Sequence, residues 1–199
     1  MKIDLHVHTR EHSFCGRSTA EEQVRAAVEA GLDALVFTNH NRLVPQPRLE
    51  DLNEKYAPFQ VFGGIEVDIN DEHILVIGIH DTALESRRWS YPDLHRFVLE
   101  TNGFLALAHP FRFTPTISVA LEQFPPDAVE AYSNNISPRT EQRIHHLARQ
   151  LDVPVLSNSD AHHRTELGKY YNQFQPMASE ERDVIDHLKT GPFTPVFPA

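Results

Sequence analysis

Two histidines stand at i and i+2 near the start of the chain, in Asp4-Leu5-His6-Val7-His8, and a carboxylate and an imidazole stand together near its far end, in Ser159-Asp160-Ala161-His162. On a strand, residues i and i+2 project to the same side, so His6 and His8 converge on one point while Val7 enters the core. Imidazole nitrogen and carboxylate oxygen are both metal donors. Two histidines and a distant Asp-x-His therefore read as ligands that the fold must gather around a cation.

The elements that would position them follow from the apolar pattern. Residues 3–8, 34–38, 61–67, 104–108, 128–131 and 153–156 read as strands. Residues 19–32 read as a helix: Thr19 and Glu22 form a capping box, and Val24, Ala27, Val28 and Leu32 form its apolar stripe. Further helices are predicted over 92–101, ending at Asn102-Gly103, over 138–151, with proline in the first turn, and over 179–189, stopped by Gly191-Pro192. This alternation predicts an α/β chain with a mostly parallel sheet and helical crossovers. Residues 42–55, 81–91 and 111–126 read as loops.

His6 and His8, Asn39-His40, Glu66, His109 and Asp160 with His162 then all fall at the C-terminal ends of strands, the face on which α/β barrels build their sites. Segment 73–79 follows the third strand too closely for a parallel return and reads as an antiparallel hairpin turning at Asn70-Asp71. In that register Asp68 faces His73, Glu66 and His73 share a face, and His80 lies at the opposite end. His73 is therefore favoured over His80 as a ligand.

At 199 residues the chain reads as one domain, 1–199, with 40% hydrophobic and 23% charged residues, as in ordinary globular proteins. Its net charge of −10 argues against a broad nucleic-acid footprint. The single cysteine, Cys15, excludes an internal disulfide and suits a reducing compartment. No apolar run approaches a bilayer-spanning length and no signal peptide precedes the first strand. The expected location is the cytoplasm.

Taken together, Asp4-Leu5-His6-Val7-His8-Thr9, Thr38-Asn39-His40-Asn41, Gly64-Ile65-Glu66-Val67, Ala108-His109-Pro110 and Ser159-Asp160-Ala161-His162 resemble the motifs of the PHP (polymerase and histidinol phosphatase) superfamily of metal-dependent phosphoesterases, in family order over about residues 3–165. The resemblance implies a distorted (β/α)7 TIM-like barrel with two or three divalent ions. It places His6, His8, Glu66 and Asp160 on one metal. Glu66, His73 and His109 would hold a second, with Glu66 bridging, and His40 and His162 a third, to which the loop 10–15 adds a ligand. His12 is the residue chosen there. Cys15 is a further thiolate candidate for zinc, with a partly buried small residue as the plainer reading.

Mixed imidazole and carboxylate ligands suit zinc, manganese or iron. Such ions would activate water, neutralise the phosphoryl oxygens and align an in-line attack. The expected activity is hydrolysis of a small-molecule or nucleotide phosphomonoester by metal-activated water, without a covalent intermediate. Glu66 and Asp160 are expected to be catalytic through the metals, Arg112 to grip the phosphate with parallel hydrogen bonds, and His12 to protonate the leaving oxygen. Arg10, Arg164 and Lys169 are lesser candidates for phosphate binding. His95, His145, His146, His163 and His187 read as lying outside the site. Alternatives are an exonuclease, an amidohydrolase, for which the usual bridging lysine is missing, and a non-catalytic accessory metal domain. No membrane partner is expected, and the oligomeric state is not legible.

Overall fold

Short β-branched and aromatic runs bounded by turn residues fold as strands. In the computed structural model they pair into a single sheet of nine strands among the described residues, which are 1–86, 88–175, 177–178 and 180–198. In chain order these are β1 (Lys2–Val7), β2 (Ala34–His40), β3 (Gln60–Ile69), β4 (Glu72–Ile77), β5 (Phe104–Ala108), β6 (Ala128–Tyr132), β7 (Val155–Ser157), β8 (Tyr171–Gln173) and β9 (Thr194–Val196). The helices are α1 (Ala20–Glu29), α2 (Gln46–Tyr56), α3 (Tyr91–Glu100), α4 (Glu141–Leu151) and α5 (Glu181–Thr190). The spatial order of strands is 7-6-5-4-3-2-1-8-9.

The sheet curls until its ends nearly meet. At one end Val7 bridges Ala161, and the His8 N–H donates to the Ala161 carbonyl at 2.9 Å. At the other, β8 runs antiparallel to β1, and its Asn172 side chain donates to the Ser157 carbonyl of β7 at 2.8 Å. The result is a distorted, nearly closed α/β barrel. The β3–β4 hairpin has the expected register, with Asp68 opposite His73 and Asn70 in the left-handed region that a tight two-residue turn requires.

Three expectations need correction. Antiparallel pairing is more extensive than the single hairpin strand, because β8 also runs against its neighbour and β9 pairs antiparallel with β8. Residues 42–55 are not a loop throughout: α2 occupies most of them, with Leu49 and Leu52 as its buried residues. Its apolar stripe is too short to announce a helix, and tertiary contacts stabilise it. The Asn53 amide donates to the Val61 carbonyl and its oxygen accepts from the Val61 N–H, each at 2.8 Å. Finally, α4 starts at Glu141 rather than at Pro138. The predicted start of the closing helix, Ser179, lies outside the described residues.

The interior is layered. Ile3, Leu5, Val36, Phe62, Leu75, Ile77, Phe104 and Ala106 fill the barrel, and Val184, Ile185 and Leu188 of α5 belong to the same buried cluster. A second cluster lies under α3 and α4, and a third, which includes Val7, lies under α1 and α2. The pairing of β1 with β2 shifts between Asp4 and Val7. Without that irregularity, alternation would keep residues 3, 5 and 7 on one face. With it, Leu5 fills the barrel, Val7 turns outward, and His6 and His8 point inward above the apolar layers, the re-aiming that bulges beside functional sites provide.

Candidate metal centre

Every strand from β1 to β6 contributes to the polar layer at one mouth of the barrel. Glu66 of β3 is at its middle and fully buried. Its Oε1 lies 2.8 Å from His73 Nδ1 and 3.0 Å from His109 Nε2. Its Oε2 lies 3.4 Å from His6 Nε2, 3.3 Å from His8 Nε2 and 3.2 Å from His40 Nδ1, yet makes no hydrogen bond of acceptable geometry. Asp160, on the segment after β7, points Oδ1 at His8 Nε2 at 3.1 Å and His6 Nε2 at 3.3 Å. Arg112 Nη1 and Asn135 Nδ2 donate to Asp160 Oδ2 at 2.9 and 2.8 Å.

Two of these residues sit in backbone conformations that only tertiary constraint maintains. His109 has φ 26° and Asp160 has φ 48°, a region that non-glycine residues seldom adopt and that clusters at functional sites. His109 follows directly on the end of β5, and Asp160 lies three residues past the end of β7; at each a sharp change of direction turns the side chain over the barrel axis.

The charges are interdependent. Burial, the largest single influence, would raise the Glu66 and Asp160 carboxyls, but the surrounding imidazoles together outweigh it, His6 with His109 at Glu66 and His6 with His8 at Asp160, and both lie well below the usual carboxylate range. Burial pulls His6 down, but Asp160, Glu130 and Glu66 lift it well above an ordinary imidazole. Burial holds neighbouring His8 down at about 4. One positive charge is thus concentrated where two carboxylates converge, and a divalent cation would satisfy the same electrostatic demand.

Among the described residues, four groups of side chains bring donor atoms within 4.8 Å of one another: His6, His8 and Glu66; His6, His109 and Asp160; His40, Glu66 and His73; and His8, Cys15, His40 and His162. Each residue expected as a ligand belongs to one of them except His12. The Thr9 carbonyl accepts from the His12 and Ser13 N–H groups, and this turn sends Ser13, not His12, toward the centre. Ser13 Oγ lies 3.2 Å from His8 Nδ1 and accepts from the His40 N–H at 3.0 Å. His12 instead lines an adjoining cleft of about 660 Å³ with Phe14, Cys15, His40, Asn41, Arg42, Asp68 and Glu85, where burial lowers its pKa. Cys15, whose plainer reading is a partly buried small residue, brings its Sγ among the ring nitrogens of His8, His40 and His162. Burial opposes its ionisation, but hydrogen bonding with His162 and His40 carries the thiol down to about 6.

The remaining candidates are placed as follows. His80 lies away from this mouth and bonds Glu181 at 2.7 Å. Arg10 and Lys169 are exposed, and Arg164 pairs with Glu22 of α1 at 3.6 Å. His145 meets the Tyr132 hydroxyl at 2.8 Å, His95 the Pro125 carbonyl and His187 the Pro192 carbonyl, each outside the centre. Asp68, which meets His40 Nδ1 at 2.9 Å, Asn135 and the buried Glu130 are site residues that sequence reasoning did not single out. For Glu130 a signal existed: it is a lone carboxylate inside the apolar strand Ala-Val-Glu-Ala-Tyr, a position that needs buried partners.

The donor chemistry fits divalent cations. Imidazole nitrogens, carboxylates and one thiolate converge, and a buried carboxylate oxygen faces three ring nitrogens without a hydrogen bond. A family described as PHP-associated matches residues 138–192, and a family of unknown function, DUF6282, matches residues 2–70. A phosphoribosyl 1,2-cyclic phosphate 1,2-diphosphodiesterase from Eggerthella lenta is 35% identical over 86 residues, which are 40% of this chain and 32% of that protein. The match thus spans about a third of the length of that curated relative. PsfC from Pseudomonas syringae superposes with a TM-score of 0.73 at 21% identity, over 100% of this chain and 91% of that one. A two-domain Bacteroides vulgatus protein, described as containing a predicted PHP-like metal-dependent phosphoesterase, superposes with a TM-score of 0.70 at 18% identity, over 99% and 64%.

Proposed function

This chain belongs to the PHP (polymerase and histidinol phosphatase) superfamily, and from that membership we propose that it is a metal-dependent phosphoesterase acting on a small-molecule or nucleotide phosphomonoester. The observation that carries this reading is Glu66. Each of its oxygens faces a separate set of imidazoles, His73 and His109 on one side and His6, His8 and His40 on the other, as a carboxylate bridging two cations must.

In this reading His6, His8, Glu66 and Asp160 hold one ion, and Glu66, His73 and His109 a second. His40 and His162 hold a third, with Cys15 favoured over His12 as the added ligand. Zinc, manganese and iron all suit the set. Such ions, when bound, supply charge neutralisation at the phosphoryl oxygens and ready ionisation of water near neutral pH. Arg112 binds the phosphoryl group: its guanidinium already lies against Asp160 at the mouth, and its planar fork matches two phosphoryl oxygens. His12, on the cleft wall, is the residue we assign to passing a proton to the leaving group. The fully exposed Phe14 and Arg42 line the same cleft, so the cleft accepts the organic part of the substrate. The reaction belongs in the cytoplasm, and the whole chain, 1–199, acts as one domain.

The likeness to the Eggerthella lenta diphosphodiesterase supports a second reading within the same chemistry, opening of a cyclic phosphate diester. One assay separates the two. Purified protein with manganese or zinc is given an aryl phosphomonoester, a cyclic phosphodiester and single-stranded DNA. Phosphate release from the monoester, abolished by chelation and by Glu66→Ala, is the expected result. Faster turnover of the cyclic diester favours the second reading, and hydrolysis that survives both chelation and Glu66→Ala overturns the metal mechanism.

A further inference from the structure

Beneath the proposed ligands lies a carboxylate with no place in the mechanism so far. Glu130, from the middle of β6, is fully buried and accepts three hydrogen bonds. Its Oε1 lies 3.0 Å from His6 Nδ1 and accepts from the Asn158 amide at 2.8 Å. Its Oε2 accepts from the backbone N–H of His109 at 3.0 Å. The network continues outward. Asn158 Oδ1 accepts from the Asn172 amide of β8 at 2.8 Å and from the Leu5 N–H of β1 at 3.3 Å.

We infer that Glu130 is the positioning residue of the centre, a single carboxylate that sets two proposed ligands at once: the tautomer of His6 and the strained backbone turn of His109. This inference rests on reading the centre as a metal site. The amide of Asn158 and the N–H of His109 are donors, and His6 can join them only by donating from Nδ1. An ionised carboxylate accepts from all three. With a cation bound in place of the His6 charge, His6 Nε2 would be left with its lone pair aimed at the point where His8 Nε2, 3.1 Å away, also converges. At His109 the φ of 26° is unfavourable in itself, and its N–H has its acceptor in Glu130. Loss of that acceptor would free the turn to relax and carry the ring away from Glu66. Buried carboxylates that orient ligand histidines from behind commonly change metal affinity by about 10–100-fold when removed.

Glu130→Gln is the informative variant, because it keeps the shape but sets an NH2 against one of the three donors. Zinc affinity of the purified protein, measured by competition with a chromophoric chelator, is expected to fall at least tenfold in Glu130→Gln. Val129→Ala, on the outer face of the same strand, is expected to lower the melting temperature while keeping zinc affinity within about twofold. In the zinc-loaded wild-type protein, 15N-detected ring correlations should show His6 protonated at Nδ1. This readout needs no variant and holds even if Glu130→Gln fails to fold. Zinc affinity unchanged in folded Glu130→Gln, equal losses in Val129→Ala, or a His6 protonated at Nε2 would each overturn the assignment while leaving the metal reading intact. A wild-type protein that takes up no zinc would overturn both.

Discussion

At the scale of single residues, Glu66 and Asp160 are caught between burial, which favours their neutral forms, and a ring of imidazoles, which wins. The side chains around them divide into those whose spacing announced them and those that only geometry found. His6 and His8 were legible because strand alternation puts i and i+2 together. Cys15 was not favoured, because no local pattern tells which residue of the loop 10–15 turns inward. The Thr9–Ser13 turn makes that choice. Elemental analysis should therefore show Cys15→Ser losing close to one ion per chain and His12→Ala losing none. The opposite pattern would restore His12 as the ligand. Arg112→Lys keeps the charge but not the fork. With a charged hydrogen bond contributing about 1.5–3 kcal/mol, it should raise KM for an aryl phosphate roughly tenfold, and steady-state kinetics would show it.

At the scale of elements, α1 shows local rules holding through to the structure. The Thr19 side chain accepts from the Glu22 N–H, and Glu22 reaches back to the Thr19 N–H at 2.8 Å, as the capping box predicts. α2 shows the reverse, a helix with few apolar residues stabilised by β3. The start of α5 carries a titratable lock. Its Glu181 accepts from the Gly63 N–H at 3.1 Å and meets His80 Nε2 at 2.7 Å. The hydrogen bond with Glu181 lifts the His80 pKa above its ordinary 6.5, against the opposing effect of burial. A raised folded-state value stabilises the fold fully below pH 6.5, and that stabilisation fades as pH climbs through the raised value. Wild type should therefore exceed Glu181→Gln in denaturant stability by roughly 0.5–1 kcal/mol at about pH 5.5. The gap should narrow by about pH 9. A gap that widens with pH would refute the lock.

At the scale of the whole molecule, one end of the barrel is apolar and the other polar. α5 joins the apolar cluster at the first, burying Val184, Ile185 and Leu188 against β-strand side chains. Truncating Leu188 to Ala should cost about 2–5 kcal/mol, read from chemical denaturation, while leaving the pH dependence of any hydrolysis unchanged. The polar end draws ligands from strands across the entire sheet, so cations bound there would join β1 to the segment after β7. Zinc or manganese at about a hundred times its dissociation constant should stabilise the fold by about 2.7 kcal/mol. The melting temperature should then rise by roughly 5–10 °C, and excess chelator should reverse the shift. Among the described residues no helix is long and apolar enough to cross a membrane.

The sequence by itself determined what local periodicity and donor chemistry can express: which runs become strands, that the β3–β4 hairpin turns at Asn70-Asp71, and that histidines and carboxylates gather at strand ends. Tertiary structure decided the rest. The shift within β1 that re-aims His6, the short strands β8 and β9, the inward placement of Cys15 and the grip of Glu130 on His6 and His109 all depend on contacts between residues far apart in the chain. Glu130 and His6 are 124 positions apart. No local propensity encodes such a pairing, because its free energy arises only once the barrel has closed and water has been excluded from both groups.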